Sequence, residues 1–251
     1  TVNYYDDYNF PGAPEAIPDF ISGQEVLDNV KSLPTGSWTR FLETVNETAG
    51  EISYTIYDKK ARPIQTKTAN HLGGFTEVTS TLDFEGKTEE TRTIHKRDGD
   101  PLSIETIDKF IYSAQGKLIS QLQSANENPM ELIVANEYDE LGQLISKQVG
   151  GQDTETFTGL QKVNYKYNIR GWLKEINDVN DLTISQGNYI DLFAFKINYN
   201  ELTATTNGNI HGVNTAYNGN VLPLYNGNIA ETYWMTSTDN VMRKYSYDYD
   251  H

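Results

Sequence analysis

One short unit recurs along this chain, as YDKKARPI (57–64), LDFEGKT (82–88), YSAQGKL (112–118), YDELGQL (138–144) and YNIRGWL (167–173). Self-similarity on this scale marks an array of small supersecondary units. Each is too small to bury its own apolar side, so each must stack on the next. The copies begin at 57, 82, 112, 138 and 167, which are 25, 30, 26 and 29 positions apart. That spacing is too irregular for propeller blades and suits hairpins with loops of different lengths. Tyr249 and Asp250 begin a further copy.

Each position of the unit has a mechanical task. An aromatic or large apolar residue (Tyr57, Leu82, Tyr112, Tyr138, Tyr167) ends an outgoing strand and buries a broad side chain. A short polar residue follows (Asp58, Asp83, Ser113, Asp139, Asn168), and its oxygen accepts backbone N–H groups within the bend. Gly86, Gly116, Gly142 and Gly171 supply the positive φ that the bend needs. Leu118, Leu144 and Leu173 then start the returning strand on its buried side. The first two copies depart from the pattern: Ala61 stands in the glycine place and is followed by Pro63, and Thr88 stands where later copies have leucine. No copy is recognisable between residues 174 and 244.

From residue 51 the hydrophobic period is two, as in ISYTIY (52–57), ELIVANEY (131–138), QKVNYKY (161–167) and FAFKINY (193–199), which predicts half-buried strands. Turn formers punctuate them: Asp98-Gly99, Gly150-Gly151, and Asn-Gly pairs at 207–208, 218–219 and 226–227. The predicted fold is all-β, an array of antiparallel hairpins over 51–251. Residues 1–50 read as a mostly irregular segment, because Pro11, Pro14, Pro18 and Pro34 break it into pieces unsuited to interior strands. Within it Ser22 and Glu25 form an S-x-x-E capping box, which allows a short helix from 22 to about 32. The chain opens at Thr1 and stops at His251 directly after YSYDYD, with no returning strand, so a piece of a longer polypeptide is expected.

Composition narrows the function. Asp plus Glu number 35 against 20 Lys plus Arg, a formal charge of −15 that repels phosphate backbones and anionic lipid, so nucleic acid is not expected as a partner. No apolar run approaches the ~18 residues of a membrane helix, so this segment is not expected to insert into a membrane. There is no cysteine, hence no disulfide framework and no thiolate chemistry. His71, His95, His211 and His251 show no metal-ligand spacing, and the serine-hydrolase, phosphate-loop and dinucleotide motifs are absent. No catalytic residue, cofactor or metal site is therefore expected, and the chain does not read as an enzyme. Asp6-Asp7, Asp178 to Asp181 and Asp248 to Asp250 offer oxygen ligands for Ca²⁺, but none matches an EF-hand loop, and turns or solvated loops explain them more simply. Trp38, Trp172 and Trp234 could stack on sugars; packing is the plainer role.

At the five copies the chain resembles YD-repeat, or Rhs-type, proteins, whose unit is similar to Y-D-x-x-G-x-L, over most of residues 51–251. YYDDY (4–8), RPIQTKTANHLGG (62–74), LFAFKINY (192–199) and YNGNIAETYW (225–234) further resemble the branch found in bacteria with type IX secretion. The resemblance implies a curved, shell-like β-sheet that encloses or carries a C-terminal toxin or effector, in a secreted or cell-surface protein. Its partners would be the rest of the same polypeptide, other shell repeats and cargo, with a secretion translocon and its carrier proteins. Some Rhs-type shells carry a D-P-x-G-like self-cleavage site. The Asp100-Pro101 here is followed by Leu-Ser, so no catalytic residue is carried over. The alternative expectation is an adhesin, a surface module binding glycans or proteins.

Overall fold

The structure, a computed structural model, describes residues 1–42, 48–183, 190–202, 210–211 (backbone) and 223–249. It divides into two compact units, Thr1–Glu131 and Leu132–His251. All regular structure among the described residues is β, with no helix.

The first unit holds β1 (Val2–Tyr5), β2 (Phe20–Ile21), β3 (Gln24–Glu25), β4 (Pro34–Arg40), β5 (Gly50–Tyr57), β6 (Pro63–Ala69), β7 (Gly73–Leu82), β8 (Thr88–Asp98), β9 (Ile104–Tyr112) and β10 (Leu118–Ala125). Its sheet runs β1-β4-β5-β6-β7-β8-β9-β10, each strand antiparallel to its neighbours. From β4 onward the order in space is the order in sequence, as successive hairpins require. Pro34 corrects the expectation that the early prolines exclude interior strands: it opens β4, which lies between β1 and β5. At a strand's first position the missing N–H removes little from the ladder, and Pro63 opens β6 in the same way.

The helix expected from residue 22 is absent. Ser22 and Gly23 both have positive φ, 47° and 75°, and make the two-residue turn of the β2–β3 hairpin. That hairpin belongs to a long insertion between β1 and β4, which folds back over the sheet. Ile21 and Val26 from the insertion join Ile56 and Ile64 in a buried cluster, flanked by Tyr8, Ile17, Tyr54 and Leu82. The Gln24 carboxamide fastens it to β7, donating to the Ser80 carbonyl at 2.8 Å and accepting from the Leu82 N–H at 2.9 Å.

The second unit holds β11 (Glu131–Tyr138), β12 (Leu144–Val149), β13 (Gln161–Tyr167), β14 (Leu173–Ile176), β15 (Phe193–Asn198), β16 (Ile210–His211), β17 (Glu231–Thr236) and β18 (Met242–Ser246), in the spatial order β11-β12-β13-β14-β15-β17-β18-β16. Neighbours are antiparallel except β16 on β18, which are parallel over two residues. Val179 and Leu182, from the connection between β14 and β15, form its buried cluster with Ala194, Tyr233 and Met235, against which Met242 packs.

Candidate functional site: the riveted turns

The five copies of the repeat build one turn, five times. The N–H of the short polar residue donates to the carbonyl four residues on: Asp58 to Arg62, Asp83 to Lys87, Ser113 to Lys117, Asp139 to Gln143 and Asn168 to Trp172, at 2.8–3.0 Å. Its carbonyl accepts the N–H three residues on, from Ala61, Gly86, Gly116, Gly142 and Gly171. Its side-chain oxygen accepts the N–H four residues on in each case, at 2.7–3.2 Å. This is a three-residue loop ending in a left-handed residue and a bulge, and the register shifts beside the aromatic in every copy.

The left-handed position explains both the glycine and its exception. The four glycines have φ between 77° and 97°, and Ala61 adopts 59° in the same place. An alanine there costs about 1–2 kcal/mol, which the Asp58–Arg62 ion pair across the same turn offsets. Gly142→Val is expected to cost about 1–3 kcal/mol from φ strain. Denaturant unfolding checks it, and an unchanged midpoint would refute the role assigned to Gly142.

Within each unit consecutive turns also lie on one another. The residue after the left-handed position reaches over the next turn, where a side chain in the glycine place would push it aside. A Cβ added to Gly86 would sit 3.2 Å from Arg62 Nη1, one on Gly116 2.6 Å from Lys87 Nζ, and one on Gly171 2.9 Å from Gln143 Nε2. Arg62 Nη1 also donates to the Asp83 carbonyl at 2.9 Å, so one turn is hydrogen-bonded to the next.

The tyrosines link the hairpins. Across each bulge the tyrosine, or Leu82 in the second copy, faces the first residue of the returning strand: Tyr57 opposite Pro63, Leu82 opposite Thr88, Tyr112 opposite Leu118, Tyr138 opposite Leu144 and Tyr167 opposite Leu173. Three tyrosine hydroxyls reach back one hairpin. Tyr167 donates to the Leu144 carbonyl at 3.0 Å, and Tyr199 to the Leu173 carbonyl at 3.0 Å. In the first unit Tyr57 donates to the Pro34 carbonyl at 2.5 Å. Burial raises the pKa of Tyr57 and Tyr199 above the ordinary phenol value, which keeps both hydroxyls protonated as donors. Tyr167→Phe is expected to cost about 0.5–1.5 kcal/mol with the ring packing retained. Equal thermal stability of wild type and variant would remove the rivet from the account.

This pattern exposes two copies that the sequence reading missed, both split by insertions. Tyr5 faces Pro34, with a register shift beside it, and the Asp6 N–H donates to the Leu33 carbonyl at 3.2 Å. Ser32, with φ of 70°, takes the glycine place, and its N–H donates to Asp6 Oδ1 at 2.5 Å. Residues 7–32 therefore occupy a turn that otherwise needs three residues. In the second unit Tyr199 and Asn200 begin a copy that Gly227, with φ of 98°, and Ile229 complete. Trp172 lies over Gly227 as Gln143 lies over Gly171, with a Cβ on Gly227 2.8 Å from its ring. Tyr249 donates to the Ile229 carbonyl at 3.0 Å, as Tyr199 does to Leu173. The span from 174 to 244 thus does contain a copy. The dipeptides Tyr5-Asp6 and Tyr199-Asn200 are the local signals that open these two copies.

The remaining sequence candidates have ordinary roles. Trp172 packs on Tyr199 at 5.3 Å between ring centroids, and the Arg243 guanidinium lies 4.5 Å over Trp234. The Asp178 and Asp181 side chains accept N–H groups from Asn180 and Thr183 in their own turns. Among the described residues no three His, Asp or Glu side chains are grouped to hold a metal ion. Asp250 and the Asn-Gly pairs at 207–208 and 218–219 lie outside the described residues. The chain matches no family model, and a search of curated proteins finds no relative.

Proposed function

We propose that this chain is a structural segment of a YD-repeat, Rhs-type protein, a stretch of β-shell that encloses or carries a C-terminal toxin or effector. The reading extends to a secreted or cell-surface protein exported by a type IX-like system. One observation carries it: the repeat residues are spent on joining hairpin to hairpin, through the tyrosine-to-carbonyl bonds and the stacked turns. A chain whose recurring residues form the turns and tie one hairpin to the next is suited to enclosure, because an open antiparallel sheet can be lengthened by further copies.

The test is proteolysis of the full gene product with and without this stretch. Enclosure predicts that the downstream segment resists a protease that digests it readily when expressed alone. Equal digestion in both contexts would remove the enclosing role.

A second reading, a surface module that binds glycans or proteins, draws on the turn tips. Phe84 and Leu141 are each 86% exposed and Ile169 is fully exposed, so the turns hold apolar side chains out to solvent. A glycan array distinguishes the readings, because a wall segment gives no selective signal.

A further inference from the structure

A second cluster of functional groups lies on β15, β17 and β18 of the second unit. Asn198 on β15 is the direct cross-strand partner of Glu231 on β17, and Lys244 on β18 is the partner of Tyr233. Glu231 and Tyr233 are two residues apart on one strand, so their side chains share a face. Asn198 and Lys244 approach that face from opposite sides. Asn198 has no exposed surface, and Glu231 and Tyr233 are each 2% exposed. One carboxylate engages the other three groups. Asn198 Nδ2 donates to Glu231 Oε2 at 3.1 Å, the Tyr233 hydroxyl donates to the same oxygen at 3.1 Å, and Lys244 Nζ is ion-paired with Oε1.

A buried ion pair confers little stability over apolar side chains of the same volume. What this one does provide is an amine, its side chain 19% exposed, and a buried carboxamide held on the two oxygens of a single buried proton acceptor. These are the parts needed to make an amide bond.

We propose that Lys244 and Asn198 become joined by an isopeptide bond, with Glu231 as the proton carrier. Glu231 takes a proton from the Lys244 ammonium, and the freed amine attacks Cγ of Asn198. The Nζ–Cγ bond forms and the Cγ–Nδ2 bond breaks. Of the two protons that the lysine gives up, one completes ammonia from the leaving nitrogen. The other departs with it as ammonium, restoring the carboxylate. No oxidant, metal or cofactor enters. The Tyr233 hydroxyl orients the carboxylate and its ring, 5.4 Å from Lys244 Nζ, shields the amine. Before reaction the amine is protonated: burial pushes its pKa down, but Glu231 and Tyr233 hold it above the ordinary lysine value. Transfer of that proton to Glu231 is therefore the first step. In a chain with no cysteine, this bond would staple β15 to β18 across β17, where no disulfide is available.

Intact-mass measurement of the purified chain, followed by peptide mapping, tests the proposal. The expected result is the loss of one ammonia and a tryptic species in which the Asn198 peptide is joined to the Lys244 peptide. Lys244→Arg keeps the cation but not the nucleophile, and is expected to show the full sequence mass and no joined species. Succinimide formation at an Asn-Gly pair loses the same mass without joining peptides, so the mapping separates the two. If wild-type protein incubated in native buffer yields only the two unlinked peptides, the proposal is overturned, whatever the variant does.

Discussion

Replacing Ile64 by alanine is expected to destabilise the first unit by about 2–5 kcal/mol, read as a lowered urea midpoint with the slope unchanged. Ile64 is 1% exposed and packs with Ile56, Ile21 and Val26, so the deletion opens a cavity where the sheet meets the insertion that covers it. The surroundings can relax only partly, because β5 and β6 are fixed by their ladder and the insertion by Gln24. Leu102, 80% exposed, is the control: Leu102→Ala is expected to stay within about 0.5 kcal/mol of wild type. Similar losses at the two positions would mean that the cluster is not a core.

Asp58→Ala is expected to cost about 2–3 kcal/mol at neutral pH. The buried carboxylate accepts the Lys60 and Arg62 N–H groups at 2.9 Å and the Arg62 guanidinium at 2.6 and 2.7 Å. Removing it leaves these donors unpaired and loosens the arginine that reaches the next turn. Burial alone would push the Asp58 pKa up, but the arginine and the turn amides outweigh it and hold the group below its ordinary value. A depressed folded pKa means stabilisation that is complete above the ordinary carboxylate range and lost as pH falls through the folded value. The gap between wild type and variant should thus be full at neutral pH and shrink in acid. A gap that does not vary with pH would show that the charge is not the source.

The hairpin ends were legible in the sequence because their chemistry is local. An aromatic, a short acceptor and a glycine within five positions specify a turn without reference to the rest of the chain, and Asp139 with Gly142 form the bend that their spacing predicts. What separation in sequence concealed is of another kind. The partners of Tyr5-Asp6 and Tyr199-Asn200 lie some two dozen residues downstream, beyond any local pattern. Ser22 and Glu25 suggested a helix start, but Gly23 permits the tighter hairpin, and Gln24 gains two bonds to β7 only in that conformation. The Asn198, Glu231 and Lys244 cluster depends on cross-strand register, which no spacing along the chain reveals.

The two split turns show how a frame of this kind acquires new parts. Widening a loop from three residues to about two dozen adds only about 2 kcal/mol of closure entropy. The buried side chains of Ile21 and Val26 offset that at about 2 kcal/mol each. The clasp residues Asp6, Ser32 and Leu33 still meet across the first insertion, so the ladder of β1 on β4 continues past it. Each bend is in effect a docking port in the backbone, and such proteins can diversify by lengthening one bend at a time while the scaffold keeps its dimensions.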